Sequence, residues 1–332
     1  MSRFQHQQSA HCESGVMASL LSHAGLPMSE PMAFGLASGL AFAYLPIVKL
    51  SGMPLIAYRM PPKHLIKTLS KRLGVRLQTR TFGNPEQGKR ALDEALDSGK
   101  LVGLQSSVFW LPYFPPEMRF HFNAHNLLAY GRAGDDYLIS DPVLEEPVRC
   151  PGKDLQKARF AKGALAAKGL MYSLEQVPLE HDWNKLIRKS VLSTTRILDG
   201  MPLPWIGIRG IQHLAGQVAK LDPSNSKYNR LYLTHIVRMQ EEIGTGGAGF
   251  RFMYASFLQE AGELLGEPTL NEASGKLTAI GDNWRQFASA CVRASRSKGE
   301  APNFAPIADN LRSIALQERE LMKELAAWSK RK

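Results

Sequence analysis

Around residue 150 the chain changes its pattern, and that change constrains the fold more than any other feature of the sequence. Before it lie short strand-like pieces: KLVGLQSSVF at 100–109, HNLLAYGR at 125–132 and DYLISDP at 136–142, the last two separated by the turn AGDD. Short apolar runs with strand alternation, bounded by Gly and Asp, read as strands joined by a hairpin. Beyond LEEPVRCPG, apolar residues recur at helical spacing over 155–169, 182–198, 228–243, 250–265, 270–296 and 306–331. A chain of 332 residues is long enough to bury two cores. The pattern therefore implies an α+β domain over 1–150 and a mostly helical domain over 151–332.

Within the first domain, Val16, Met17, Leu20 and Leu21 sit at helical spacing, and HAGLP at 23–27 supplies a glycine and a proline to stop the helix. That helix begins at Cys12. PLIAYRM (54–60) and VRLQTRTF (75–82) read as strands, and KHLIKTLSKRLG (63–74) and PEQGKRALDEALDSG (85–99) as amphipathic helices, each closed by glycine. WLPYFPPEMRF at 110–120 holds too much proline for regular structure and reads as a loop over a site. PMAFGLASGLAFAYLPIV, 31–48, carries no charge over 18 positions, which just reaches the length of a membrane span. Its two glycines, two prolines and many small residues fit a buried wall of the core instead.

Forty-one Lys and Arg against thirty Asp and Glu leave a net charge of +11. Residues 1–150 carry +3 of it and the remainder +8. An excess of this kind favours an anionic partner or forms a plain solvated face. No run of five like charges marks a nucleic-acid tail, and KRLGVRLQTR (71–80) has no interleaved aromatics, so nucleic acid is not expected. Cys12, Cys150 and Cys291 are too few and too far apart for a disulfide framework or a zinc ribbon. MSRFQHQQ has no apolar core of a signal peptide, and the expectation is a cytoplasmic protein with reduced thiols.

A cysteine is a nucleophile as thiolate, and a helix N-terminus places partial positive charge and free N–H groups beside the sulfur. It also needs a base, and a group that orients the base. His125 starts one strand and Asp141 ends the next, so a hairpin can bring both to one end of a sheet. Singly, each residue has an ordinary structural explanation: a buried thiol, a strand-edge histidine, a turn aspartate before Pro142. Jointly they fit a nucleophile, a base and its orienting carboxylate.

HCESGVMASLLSHAGLPMSEPMAFGLASGLAFAY, 11–44, resembles the opening of the butirosin-biosynthesis acyltransferase N-terminal domain family, in which a His-Cys pair starts the first helix. HNLLAYGRAGDDYLISDP, 125–142, is similar to the end of that domain and to C39-type and papain-like cysteine peptidases. EIGTGGAGFRFMYASFLQEA, 242–261, resembles the helical domain of unknown function that follows it. The resemblance implies a papain-like fold with Cys12, His125 and Asp141 as catalytic triad. It also implies transfer of an acyl or aminoacyl group from a carrier-protein thioester to an amine or other small acceptor, through an acyl-cysteine. The expected partners are an acidic acyl carrier protein, docked with help from the basic second domain, and a small-molecule acceptor. No cofactor is expected beyond the phosphopantetheine on that carrier; a homodimer is an open alternative to a monomer. A thioesterase or a C39-like peptidase or amidase would use the same triad, and a non-catalytic binding protein would keep the fold alone. Papain-like enzymes carry an oxyanion glutamine six residues before the cysteine; here His6 stands there, flanked by Gln5, Gln7 and Gln8.

GTGGAG at 244–249 fits a dinucleotide fingerprint literally, but helical rather than strand pattern precedes it. It reads as a connection between helices or as a substrate-facing loop in which Gly246, Gly247, Arg251 and Tyr254 meet the donor phosphate or the acceptor. HFNAH, 121–125, has a zinc spacing only on a helix, and it leads into a strand; no metal site is expected, and His121 reads as a packing residue. Trp205, Trp284 and Trp328 read as core residues on helical faces.

Overall fold

The computed structural model describes residues 4–50, 52–243, 246–297 and 302–331. In chain order they form α1 (Cys12–His23), α2 (Glu30–Leu36), β1 (Leu40–Leu50), β2 (Met53–Arg59), α3 (His64–Leu73), β3 (Arg76–Arg80), α4 (Pro85–Asp97), β4 (Val102–Ser106), β5 (His125–Ala133), β6 (Asp136–Ser140), β7 (Val148–Pro151), α5 (Gly152–Arg159) and β8 (Met171–Gln176). Helices follow: α6 (Trp183–Thr195), α7 (Gly207–Ala219), α8 (Ser226–Val237), α9 (Arg251–Leu265), α10 (Pro268–Arg296) and α11 (Ala305–Lys330). The chain divides into one unit of residues 1–33 and 62–181 and a second of 34–61 and 182–332.

The first unit is an antiparallel sheet in the order β3-β8-β4-β5-β6-β7. β4 and β5 pair Ser106 with His125 and Leu104 with Leu127. β5 and β6 form the hairpin, with Ala133 opposite Asp136 and Gly134 at φ +65°, a left-handed turn position that favours glycine. Because β5 starts at His125 and β6 stops at Ser140, the next residue, Asp141, leaves the sheet at the His125 end. Leu92 of α4 and Leu155 of α5 pack with Leu104, Leu127 and Ile139 into one core cluster. α1 is buried from Cys12 to Leu21, which explains why its sequence shows no polar face.

Local chemistry sets the element ends. Asn84 accepts the Glu86 amide and Pro85 opens α4, while Gly74 ends α3 in the left-handed region. The helix expected over 155–169 stops at Arg159. Past it, Gly163, Leu165, Lys168 and Gly169 all have positive φ, which no helix tolerates, and the chain returns to the sheet as β8. β8 pairs with β3 and β4, so the first unit runs to 181 rather than ending at 150. That strand, MYSLEQ, is buried over Met171–Ser173 and runs out to exposed residues at Glu175 and Gln176.

The second unit begins inside the uncharged stretch. From Phe34 to Tyr44 most side chains are buried, but the stretch is a helix end and a strand, and β1 pairs antiparallel with β2 through Ala43 and Ala57. The Ser38 hydroxyl donates to the Ser190 carbonyl at 2.8 Å, tying the stretch to α6. Among the described residues no helix is long and apolar enough to cross a membrane. Trp284 and Trp328 are core residues of α10 and α11, whereas Trp205 lies in the turn ahead of α7 and not on a helix.

Candidate active site

The start of α1 is held from several directions. His11 is extended (φ −131°) and caps the helix, its Nδ1 accepting from the Ser14 amide at 3.4 Å. The Glu30 carboxylate accepts from the Ala10 amide at 2.8 Å, the His11 amide at 2.7 Å and the Ser14 hydroxyl at 3.0 Å. Burial pushes the Glu30 pKa up, against these three hydrogen bonds, which pull it down. Glu13, fully buried, accepts the Ile66 amide at 3.3 Å in the first turn of α3, where a carboxylate meets the helix dipole. Cys12 is thus presented on a backbone anchored on both sides, with its side chain 8% exposed.

His125 Nε2 meets Asp141 Oδ2 at 2.7 Å, and both residues are buried. The Cys12 side chain adjoins the same imidazole. With Nε2 taken by the carboxylate, Nδ1 is the ring atom left for the sulfur. Burial alone would depress the His125 pKa; the Asp141 carboxylate and the neighbouring Cys12 outweigh it and push it up to about 10. Such an imidazole holds a proton at neutral pH and can pair with a thiolate.

Asp141 is itself oriented. Its Oδ2 also accepts from the Tyr113 hydroxyl at 2.9 Å, and its Oδ1 accepts from the Val143 amide at 3.3 Å. Tyr113 comes from the proline-rich loop, and its pKa is raised well above the usual value by burial and by the Asp141 charge. Phe114 of the same loop packs edge-on against His125, ring centroids 5.7 Å apart.

The N-terminal segment couples the two halves of this site. The Ser9 amide donates to the Pro142 carbonyl at 2.6 Å, and Phe4 stacks on Tyr130 at 4.9 Å. His6 Nδ1 meets the Ser140 hydroxyl at 2.7 Å and Nε2 the Leu144 carbonyl at 3.0 Å, so both ring nitrogens serve the turn that carries Asp141. Of the four residues among which the oxyanion side chain is left open by the sequence, His6 is engaged at this turn through both ring nitrogens, and Gln5, Gln7 and Gln8 are exposed. Gly15 lets the segment cross α1: a Cβ there would fall 2.6 Å from the Ser9 Cβ and 2.8 Å from the Pro142 Cβ.

The structure thus brings together Cys12, His125 and Asp141. It places the four other candidates, Gly246, Gly247, Arg251 and Tyr254, in the second unit, and there two expectations need correction. Arg251 is fully buried, its Nε donating to Glu318 Oε1 at 2.8 Å and its guanidinium lying 4.8 Å from the Trp284 ring centroid. Tyr254 is fully buried as well, so neither presents an atom to a substrate at the surface. Gly247 is buried and in the left-handed region (φ +88°), and Gly246 is exposed; the Gly244 and Thr245 of the same motif lie outside the described residues. His121 stacks on Phe109 at 4.1 Å while His125 pairs with Asp141, so the two histidines of HFNAH do not converge on a metal. Tyr113 and Glu30 escaped sequence reasoning: the one was noticed only as part of a loop, the other had no motif at all.

A cysteine at the first position of a buried helix thus stands beside a histidine and an aspartate delivered by neighbouring antiparallel strands, in an α+β unit followed in sequence by a helical region. Residues 11–142 match the family model of butirosin biosynthesis protein H, N-terminal domain. Residues 153–325, half of the chain, match the domain of unknown function DUF4872, and the chain belongs to that family. The second match begins inside the first structural unit, since α5 packs against the sheet and β8 completes it. No curated protein matches the chain. A solved structure from Bacillus anthracis, described as a C39-like peptidase, is 15% identical over 54% of this chain and 98% of its own, with a TM-score of 0.37.

Proposed function

We propose that the protein is a cysteine-dependent acyltransferase that takes an acyl or aminoacyl group from a carrier-protein thioester and passes it to an amine or other small acceptor, with Cys12, His125 and Asp141 as its triad. The observation that carries this reading is the buried His125–Asp141 pair at 2.7 Å with Cys12 on the same imidazole. The match of residues 11–142 to the butirosin biosynthesis protein H N-terminal model favours acyl transfer over other thiol chemistry.

The Cys12 thiolate attacks the donor carbonyl carbon, and the developing oxyanion lies at the N-terminus of α1, where the Cys12 amide is available. The carbon–sulfur bond to pantetheine breaks, and the His125 imidazolium gives its proton to the departing sulfur. Neutral His125 then takes a proton from the acceptor amine as it attacks the acyl-cysteine; an amide forms, and Cys12 leaves as thiolate beside a regenerated imidazolium. One thioester replaces another in the first half, so positioning and proton transfer matter more there than driving force. If water reaches the acyl-cysteine before an amine, the same site is a thioesterase.

Intact-protein mass spectrometry after mixing with acyl-loaded carrier proteins tests the reading. The wild-type protein is expected to gain the acyl mass and Cys12→Ala to gain none. Release of the free acid without an acceptor-dependent product would assign hydrolysis instead, and no acyl mass on Cys12 from any donor would remove the catalytic reading.

A further inference from the structure

A groove of about 450 Å³ on the first unit is lined by Trp110, Gln156, Phe160 and three lysines, Lys153, Lys157 and Lys162, with Pro85 and Ala161 completing it. Lys153, Lys157 and Phe160 are spaced four and three residues apart along α5 and just past its end, so they share one face. Among the described residues no carboxylate lines the groove. The neighbouring Asp154 approaches Lys157 only to 3.9 Å, with the lysine still exposed, a contact of little strength. Trp110 is 40% exposed, with the Lys157 ammonium 5.7 Å from its ring centroid. An exposed tryptophan ringed by cations matches the anchor and rim of a protein interface more closely than a plain solvated surface.

One wall of the groove stands at the His125 end of the sheet. Trp110 belongs to the turn that leaves β4 directly after Ser106, whose strand partner is His125. Phe109 packs edge-on against Trp110 at 5.0 Å and stacks on His121, four residues before His125. The loop side of the groove is therefore continuous with the end of the sheet that carries His125 and Asp141.

Resting on the acyl-transfer reading above, we propose that this groove, and not the helical second domain, docks the donor: an acidic carrier protein whose carboxylates meet Lys153, Lys157 and Lys162 and whose apolar surface covers Trp110. The charge complementarity names the partner. The lysines on α5 fall in the part of the sequence that reads as the basic second domain, yet they belong to the unit that holds Cys12.

The test uses the full chain, an acidic acyl carrier protein of fatty-acid synthesis as probe, and two variants, Trp110→Ala and the triple Lys153→Glu/Lys157→Glu/Lys162→Glu. Titration of the fluorescently labelled carrier, read by anisotropy, needs no chemistry. Wild type is expected to bind it in a salt-sensitive way, and the triple variant about tenfold or more weakly. Loading of Cys12 is then followed from the acylated carrier and from a free acyl-pantetheine. The variants are expected to raise KM for the carrier about tenfold with kcat kept, and to load from free acyl-pantetheine as wild type does, which also shows that they are folded. Equal carrier binding by wild type and the triple variant, or no binding by wild type, overturns the docking site. Loading from neither donor while carrier binding still depends on the lysines overturns the acyl-transfer reading and leaves the docking surface standing.

Discussion

The Tyr113 hydroxyl donates to Asp141 Oδ2 at 2.9 Å, the same oxygen that meets His125 Nε2 at 2.7 Å. One carboxylate oxygen thus joins the proline-rich loop to the imidazole, and the loop conformation is felt at His125. Tyr113→Phe keeps the ring and removes one donor to a buried charge, a change of about 1.5 kcal/mol or somewhat more. Acylation of Cys12 is expected to slow about tenfold. With less of its charge shared, Asp141 attracts the imidazolium more strongly, so the alkaline limb of the pH–rate profile stays in place or moves up. A purely structural tyrosine would lower the melting temperature and leave the rate at any temperature below it unchanged.

Asp141→Asn is expected to act in the opposite direction. In the native protein the His125 pKa is pushed up from 6.5 to about 10, so between those values the folded chain binds a proton that the unfolded chain has lost. Stability from this group is complete below about pH 6.5 and is lost as pH rises through about 10. Removing the carboxylate charge narrows that window, moves the alkaline limb of acylation down toward the ordinary imidazole range, and costs on the order of 10³-fold in rate. Chemical denaturation at a series of pH values, beside pH–rate profiles of the two proteins, checks both halves. An unchanged alkaline limb in Asp141→Asn would sink the assignment of that limb to His125.

Much of this site is legible in the sequence because its three central residues stand at element boundaries, which sequence marks well. Cys12 precedes an apolar helix, and His125 and Asp141 flank a hairpin whose Gly-Asp turn is explicit. What supports them was not legible, since Tyr113 and Glu30 act through contacts that span 28 and 20 residues and follow no period. The boundary at 150 failed for a related reason: β8 is a six-residue strand whose place between β3 and β4 is a matter of topology, invisible to local pattern. Arg251 misled because a positive residue beside a glycine loop looks solvent-facing, while its partner Glu318 lies 67 positions away.

The three thiols should separate sharply by reactivity. Cys150 and Cys291 are fully buried, and burial pushes each of their pKa values up to about 12. Neither offers thiolate at pH 7, whereas Cys12 adjoins the His125 imidazole, whose pKa is pushed up to about 10. Iodoacetamide at neutral pH is expected to give one adduct, on Cys12, and none in Cys12→Ala; peptide mapping reads the site. Modification of Cys150 or Cys291 at a comparable rate would mean that the environment of Cys12 does not activate it.

Two glycine-to-alanine changes in helices should have opposite signs. In an ordinary helix interior Ala is favoured over Gly by about 1 kcal/mol. Gly216, inside α7, has nothing within 4 Å of the position a Cβ would take, so Gly216→Ala is expected to stabilise the protein by about that amount. Gly15 sits in α1, but its Cβ would press on Ser9 at 2.6 Å and Pro142 at 2.8 Å. The cost of forcing a methyl into such a place, about 1–3 kcal/mol, exceeds the helical gain. The strain falls on the Ser9–Pro142 hydrogen bond, which links the segment before Cys12 to the residue after Asp141. Gly15→Ala is therefore expected to slow Cys12 acylation as well as destabilise the fold, while Gly216→Ala leaves acylation unchanged. Denaturation midpoints and acyl loading of the two variants measured side by side decide it: a stabilised and fully active Gly15→Ala would show that the crossing segment does not hold the two halves of the site in register.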